Sequence, residues 1–369
     1  MGRIIMDKLK IAVLAPLTRP IENDPRGARA RIVYDLVKGL VEKGHEVTTF
    51  CTGNSTIPGK IVPIAPVAVF QMDAENPFYQ HMIYLCRMMD EVIKREGEFD
   101  LIHSHLYPEV LPITFDQFLK KPLLVTPHQF VSGEVAENYK AHSKASYIAV
   151  SNYQVQEEPQ INFIGTVHNG VALNEFDFND SSEDYLLFFG RMKEFVEIDG
   201  KSVDPKGVTN AIKIAQKAGM RLKIAGNVES QAFFDREIKP YLGEQIEFVG
   251  PIDSFGPISV EQKVKLYKNA KAFLFPINLV EAFGMTMLES MACGTPVIGS
   301  DLGATSEAII DGKTGFLVPP GDIDAAVAAA KKIDQIDRKN CRKHIEENFT
   351  VEKMVAEYEG MYQKVLKTN

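Results

Sequence analysis

Two carboxylates eight positions apart, Glu281 and Glu289, bracket the stretch where this sequence concentrates its chemistry, Glu281-Ala-Phe-Gly-Met-Thr-Met-Leu-Glu289. A carboxylate has acceptors on both oxygens, so Glu289 can hold two adjacent sugar hydroxyls. Upstream, the apolar run Ala272-Phe-Leu-Phe-Pro276 reads as a buried strand. Downstream, Met287, Leu288, Met291 and Ala292 recur at helical spacing. Glu281 is therefore expected in a strand-to-helix loop, Gly284 close to the helix start, and Glu289 about two turns further along. A glycine there lets a ligand approach the main chain. The free amides of the first turn, with the helix dipole, then favour an anion such as a diphosphate. Taken alone, two such acids are also what a surface loop and a solvated helix face provide.

The elements that must position these residues follow from the order of apolar runs. Lys10-Ile-Ala-Val-Leu-Ala-Pro16 is a short run ended by proline, the form of a buried strand. A polar loop follows, then Ile32, Val33, Leu36, Val37, Leu40 and Val41 at helical spacing, stopped by Gly44. With the strand Glu46 to Cys51 this is a βαβ unit, so a parallel sheet is expected. Further strands are expected at Leu101–His105, Leu123–Thr126, Tyr147–Ser151 and Phe163–His168, and a helix over Pro77–Arg95 with proline tolerated in its first turn. After Asn179-Asp-Ser-Ser-Glu-Asp184 a second alternation begins at Tyr185-Leu-Leu-Phe-Phe-Gly190. It runs through a helix over Val208–Lys217 and strands at Leu222–Ala225, Ile246–Val249, Ala272 and Pro296–Ser300. The reading is α/β: two Rossmann-like, doubly wound domains, residues 1–172 and 173–347, and a terminal amphipathic segment, 348–369. Ligands of such sheets bind at the carboxyl ends of the strands, so a site in a cleft between the two halves is expected.

Bulk properties narrow the classes. A chain of 369 residues is comfortable for two cores. A net charge of −8 and a pI near 5.6 argue against a dedicated nucleic-acid binder. No uncharged apolar run approaches the roughly 18 residues of a membrane span, though peripheral membrane contact stays open. The opening Met-Gly-Arg-Ile-Ile-Met-Asp is too short for a signal peptide, and Met6 is an alternative start. Cys51, Cys86, Cys293 and Cys341 lack metal-ligand spacing or disulfide-like density, the pattern of reduced thiols in a cytoplasmic protein.

The motif with its continuation, Ser-Met-Ala-Cys-Gly-Thr-Pro-Val-Ile, closely resembles the E-x7-E signature of glycosyltransferase family 4, whose members are retaining, nucleotide-sugar-dependent enzymes of the GT-B fold. The resemblance spans nearly the whole chain and is concentrated in residues 185–320. It implies a metal-independent transferase moving a sugar from a nucleotide-diphosphate sugar to an unidentified hydroxyl acceptor. Glu281 would lie at the donor sugar, positioning hydroxyls or stabilising positive charge, and Glu289 would hold the ribose hydroxyls. Phe283, Gly284, Met285 and Thr286 would offer main-chain amides. The family's G-R-x4-K-G stretch, whose arginine and lysine grip the donor phosphates, corresponds here to Gly190-Arg191 and Lys206-Gly207. Roughly ten residues (about Glu194 to Asp204) are inserted between them and read as a polar loop over the cleft. His128, at the carboxyl end of its strand, matches a family histidine that contacts donor sugar or acceptor. Gly27 stands where the family has a Gly-Gly loop near the phosphates. Pro251 and Ile252, after the strand ending at Val249, offer a main-chain edge for the nucleobase, so uridine, guanosine and adenosine donors all stay open.

Other features admit two readings. His103 and His105 alternate along one strand and share a face, as a packed pair or half of a metal site. Arg19, Arg26, Arg29 and Arg31 are solvated charges or a site for an anionic group on the acceptor. Asp322-Ile-Asp324 has metal-binding spacing, but N-capping of the alanine-rich helix after it explains it better. Two rival functions share the architecture: a nucleotide-sugar epimerase, and a sugar-nucleotide-binding protein without turnover.

Overall fold

Lys10–Leu14, buried at four of its five positions, is the strand β1. With β2 (Glu46–Thr52), β3 (Lys60–Ala65), β4 (Leu101–Ser104), β5 (Leu123–Val125), β6 (Ser146–Ala149) and β7 (Phe163–Thr166) it makes one sheet in the order β3-β2-β1-β4-β5-β6-β7. Every pairing is parallel. Such a sheet is covered on both faces, which is why β1, β4 and β5 are apolar runs rather than alternations. These coordinates come from a computed structural model that describes residues 8–23, 27–198, 200–250 and 259–368. The chain divides into two compact units, one of Met1–Gly170 with Val351–Asn369 and the other of Val171–Thr350.

The second unit repeats the design. Its strands are β8 (Leu186–Phe189), β9 (Val196–Ile198), β10 (Lys201–Val203), β11 (Leu222–Ala225), β12 (Ile246–Gly250), β13 (Ala272–Phe275), β14 (Val297–Ser300) and β15 (Gly315–Val318). Six of them form a parallel sheet in the order β12-β11-β8-β13-β14-β15. In each unit the chain first runs outward on one side of its opening strand and then crosses to the other. The switch points therefore lie between β1 and β4 and between β8 and β13, and ligands of doubly wound sheets settle at such crevices.

The terminal helix, Val351–Thr368, packs within the first unit. A Cβ on Gly39 would come within 2.6 Å of Val355 Cγ2, so glycine permits that close approach. Glu359 on this helix is held by His45 Nε2 at 2.9 Å and Lys43 Nζ at 2.7 Å.

Three expectations are corrected. The insertion after Arg191 is not a loop: β9 and β10 pair antiparallel as a hairpin, Val196 opposite Val203. Phe195 packs edge-on against Phe233, ring centroids 5.3 Å apart, and Glu194 accepts from Ser230 at 2.6 Å and Arg236 at 2.9 Å, so the hairpin is tied to the helix Gln231–Glu237. Second, β6 spans Ser146–Ala149 and stops short of Ser151, which instead caps the helix Asn152–Glu157 by accepting from the Gln154 amide. Third, the helix carrying Glu289 begins at Met285, so Glu289 lies about one turn inside it, not two. Asp322 caps the helix Ile323–Lys332, its Oδ1 accepting from the Ala325 amide at 2.9 Å.

Candidate active site

In the second unit the residues singled out from the sequence gather at the carboxyl ends of β8 and β13. Arg191 follows β8, and Lys206 with Gly207 precedes the helix Val208–Ala218. Gly207 has φ 79°, and any Cβ there would overlap the carbonyl of Pro276, the residue after β13. That contact seats the Lys206 turn against the start of the Glu281 loop. Lys206 and Glu281 form an ion pair, with only about a fifth of each side chain exposed. Burial, then the positive charges of Arg191 and Lys193, pull the Lys206 ammonium down to about 7, while Glu229 and Asp204 oppose the shift. The Glu281 carboxylate it touches works against that shift too, and geometry favours the charged pair.

Asp204, at the end of the insertion, is 2% exposed and not a solvated loop acid. Its carboxylate accepts from the main-chain amides of Lys206 at 3.1 Å and Thr209 at 2.9 Å, fixing the turn that presents Lys206. Asn278 closes the ring, donating to the Asp204 carbonyl at 2.8 Å while its own carbonyl accepts from Asn210 at 3.1 Å. Arg191 is more exposed, with Nη1 3.3 Å from Glu229.

Gly284 caps the motif helix Met285–Ala292 at φ 95°, ψ 71°. A Cβ there would press on Met287 and Phe275, so close packing as well as conformation favours glycine. The amides of Met285 and Thr286, in the first turn, have no acceptor inside the helix. Phe283 is buried, its ring 5.8 Å from Phe349, so it braces the loop through its side chain. Glu289 has partners that the sequence analysis missed. Lys263 Nζ donates to Oε1 at 2.9 Å and the buried Tyr267 hydroxyl donates to Oε2 at 3.0 Å. Both come from the helix Val260–Asn269, where a four-residue spacing puts them on one face. Pro251 and Ile252 lie outside the described residues, as do Met6, Arg26 and Asp199.

The first unit carries the remaining candidates. Gly27, at φ 119°, opens the helix Ala28–Glu42 after β1. Arg29 and Arg31, on the helix, are committed internally. Arg29 donates to the Leu106 carbonyl at 3.0 Å and to Glu109 at 3.2 Å, and Arg31 pairs with Asp35 at 2.8 Å. His128 follows β5, and its Nε2 lies 2.9 Å from His105 Nδ1. His103 and His105 are fully buried, their rings bonded to one another and to neighbours within the unit. Among the described residues no group of three or more His, Cys, Asp or Glu is arranged to hold a metal ion.

Comparison with known proteins bears on the family and the fold. A family model described as glycosyl transferases group 1 matches residues 193–349, and one described as Glycosyltransferase Family 4 matches residues 30–175. The D-inositol 3-phosphate glycosyltransferase of Mycolicibacterium smegmatis is 25% identical over 353 residues, 85% of this chain and 81% of that protein. Its namesake from Mycobacterium marinum is 23% identical over 370 residues, 90% of this chain and 78% of that one. Among solved structures, sucrose-phosphate synthase from Thermosynechococcus elongatus superimposes with a TM-score of 0.76 at 19% identity, covering 98% of this chain and 100% of that one. Anabaena HepE in complex with UDP and glucose gives 0.70 at 16%, covering 96% and 100%. These likenesses identify the two doubly wound halves as the GT-B fold. No described helix is long and apolar enough to cross a membrane.

Proposed function

The chain belongs to the group 1 glycosyltransferases, and from that membership we propose that it takes its sugar from a nucleotide-diphosphate sugar and passes it to a hydroxyl with retention of configuration, without a metal. The observation that carries this reading is the junction of Lys206, Glu281 and the helix start at Gly284. One cation, one anion and the unpaired first-turn amides lie in one stretch of the fold, the complement that a diphosphate and its sugar call for. As the bond from the anomeric carbon to the diphosphate oxygen breaks, charge builds on the leaving oxygen. Lys206, Arg191 and the amides of Met285 and Thr286 offset it. Positive charge builds on the sugar, which Glu281 faces. The acceptor oxygen bonds the anomeric carbon on the same face, and its proton passes to the departing phosphate oxygen. Glu289, held by Lys263 and Tyr267, keeps lone pairs for the ribose hydroxyls.

The bound nucleotide of HepE and the names of the curated relatives choose the first substrates to try. We take a uridine-diphosphate sugar as donor and an inositol phosphate as acceptor. The test is a panel of UDP-, GDP- and ADP-sugars incubated with inositol 3-phosphate and excess chelator, followed by nucleotide release and by NMR of the product's anomeric centre. Release of one nucleotide with a retained anomer supports the reading. An inverted product removes retention, and loss of turnover to the chelator removes metal independence.

A further inference from the structure

Beside the histidine at the end of β5 runs an unbroken line of hydrogen bonds that the transfer reaction, as read so far, leaves unused. Tyr362 Oη lies 2.8 Å from His103 Nδ1, His103 Nδ1 lies 3.2 Å from His105 Nε2, and His105 Nδ1 lies 2.9 Å from His128 Nε2. At its other nitrogen, Nε2, His103 meets Thr126 Oγ1 at 2.9 Å, and Thr126 Oγ1 also accepts from Tyr358 at 3.4 Å. The last atom of the line, His128 Nδ1, is buried and has no hydrogen-bond partner among the described residues. All three rings are held neutral. Burial does most of it, and for His105 and His128 the nearby Arg29 charge adds to it.

A neutral imidazole has one N–H and one bare nitrogen, so the choice made at one end of such a line propagates to the other. Tyr362 has His103 Nδ1 as its only hydrogen-bond partner among the described residues. If its hydroxyl donates, His103 Nδ1 is bare and Nε2–H donates to Thr126. His105 Nε2, facing that same bare nitrogen, must carry its proton, which leaves His105 Nδ1 bare. His128 Nε2 must then carry the proton that fills the 2.9 Å bond, and His128 Nδ1 is bare. Reversing every bond leaves the Tyr362 hydrogen without an acceptor; the forward order leaves Thr126's. A phenol is a stronger donor and a weaker acceptor than an aliphatic hydroxyl, which decides for the forward order.

We propose that Tyr362, His103 and His105 are positioning residues that fix His128 as its Nε2–H tautomer, so that Nδ1 accepts a hydrogen bond from a substrate hydroxyl. The helix that closes the chain thereby sets the chemistry of a ring at the end of β5. The inference rests on the reading of His128 as a substrate contact, but the tautomer itself is independent of it. A bare nitrogen can orient a hydroxyl and cannot donate to one, which restricts this contact to groups with a hydrogen to give.

The test is nitrogen NMR of the full chain labelled with 15N-histidine, the His128 signals being assigned with His128→Gln. The expected spectrum has a protonated Nε2 and a bare Nδ1 at His128. In Tyr362→Phe, which removes only the hydroxyl, that signature should become mixed, and kcat should fall roughly ten-fold with donor KM unchanged, a tenth or less of what general acid–base positioning commonly supplies. Thr126→Val, which removes the oxygen that receives the His103 proton, should mix it as well. A protonated Nδ1 at His128 in the wild-type chain, or a Tyr362→Phe spectrum and rate identical to wild type, would overturn the proposal. Full activity in His128→Gln alongside the expected tautomer would overturn the reading of His128 as a substrate contact, and with it the relay's use.

Discussion

Both units carry their candidate residues toward the carboxyl ends of strands at or next to a switch point, yet they prepare them by opposite physics. At β8 and β13 the side chains are charged and mutually paired: Lys206 with Glu281, Lys263 with Glu289, Arg191 with Glu229. At β4 and β5 they are neutral rings linked nitrogen to nitrogen in a buried layer. On the proposed reading a charged site must exchange partners when a diphosphate arrives, because Lys206, the ammonium proposed to meet phosphate, already holds Glu281. A neutral relay needs no exchange and only has to point a lone pair. The first arrangement suits an anionic substrate, and the second suits hydroxyls.

The sharpest way to break this contrast is at the charged pair. Lys206→Met and Glu281→Gln should each lower kcat/KM by about 10²–10³, the usual effect of removing one preorganised charge contact. Because the two groups touch, the double variant should lose much less than the product of the single losses. Independent losses would show that the two groups act separately and that the pair seen here is not what the reaction uses. Next in size is Lys263→Met, which leaves Glu289 with Tyr267 alone. Donor KM should rise about ten-fold with kcat nearly kept, the size of losing one charge-assisted hydrogen bond in the ground state. A fall in kcat at unchanged KM would move Glu289 from binding to chemistry.

How much of this was legible in the sequence differs between the two sites for physical reasons. The strand at Ala272, the glycine at the helix start and the acids around it are local, and apolar periodicity with one breaker residue locates them. The strands β3 and β15 were not foreseen. Both are edge strands; Pro63 interrupts the first and Gly315 opens the second, features that weaken a strand pattern. Asp204 reads as one more acid in a polar insertion, because sequence records charge and not burial. Lys263 and Tyr267 share a helical face, a signal that was present; nothing local says that the face meets Glu289. His103 and His105 could be read as sharing one side of a strand. Tyr362, the partner of His103, lies more than 250 positions away, beyond the reach of any spacing rule.

The neutral relay has its own signature in pH. His103 and His128 titrate well below the ordinary histidine range, and His105 is pushed down to about 3, by burial first. Below about pH 6.5 the unfolded chain protonates these rings while the folded chain does not, so unfolding takes up protons. Their contribution to stability is complete above that value and is lost as the pH falls toward the folded pKa, by about 1.4 kcal/mol per pH unit for each ring. Melting temperature should therefore drop between pH 7.5 and pH 5.5, before most carboxylates protonate. His105→Asn should make that drop smaller whatever it does to stability at neutral pH. An equal drop in the variant would mean that the ring charges in the folded chain and that the relay is not neutral.

The smallest effects separate positioning from mere folding within the charged unit. Asp204 and Asp322 each accept from main-chain amides at the start of a helix, Asp204 at the Lys206 turn and Asp322 beyond β15. Removing either by alanine should cost about 1 kcal/mol, which lowers the melting temperature by about 2–4 °C in a unit of this size. If the Asp204 ring serves the site, Asp204→Ala should also lower kcat/KM, since the amide it frees belongs to the residue that carries the cation. Asp322→Ala should leave kcat/KM within about two-fold, because the helix it caps presents none of the candidate residues. Calorimetry alongside steady-state rates decides it. Equal stability losses with unequal rate losses would show that the buried carboxylate of the insertion orders Lys206 rather than only the helix behind it. Parallel losses in both would reduce Asp204 to an ordinary cap and leave the hairpin without a part in the chemistry.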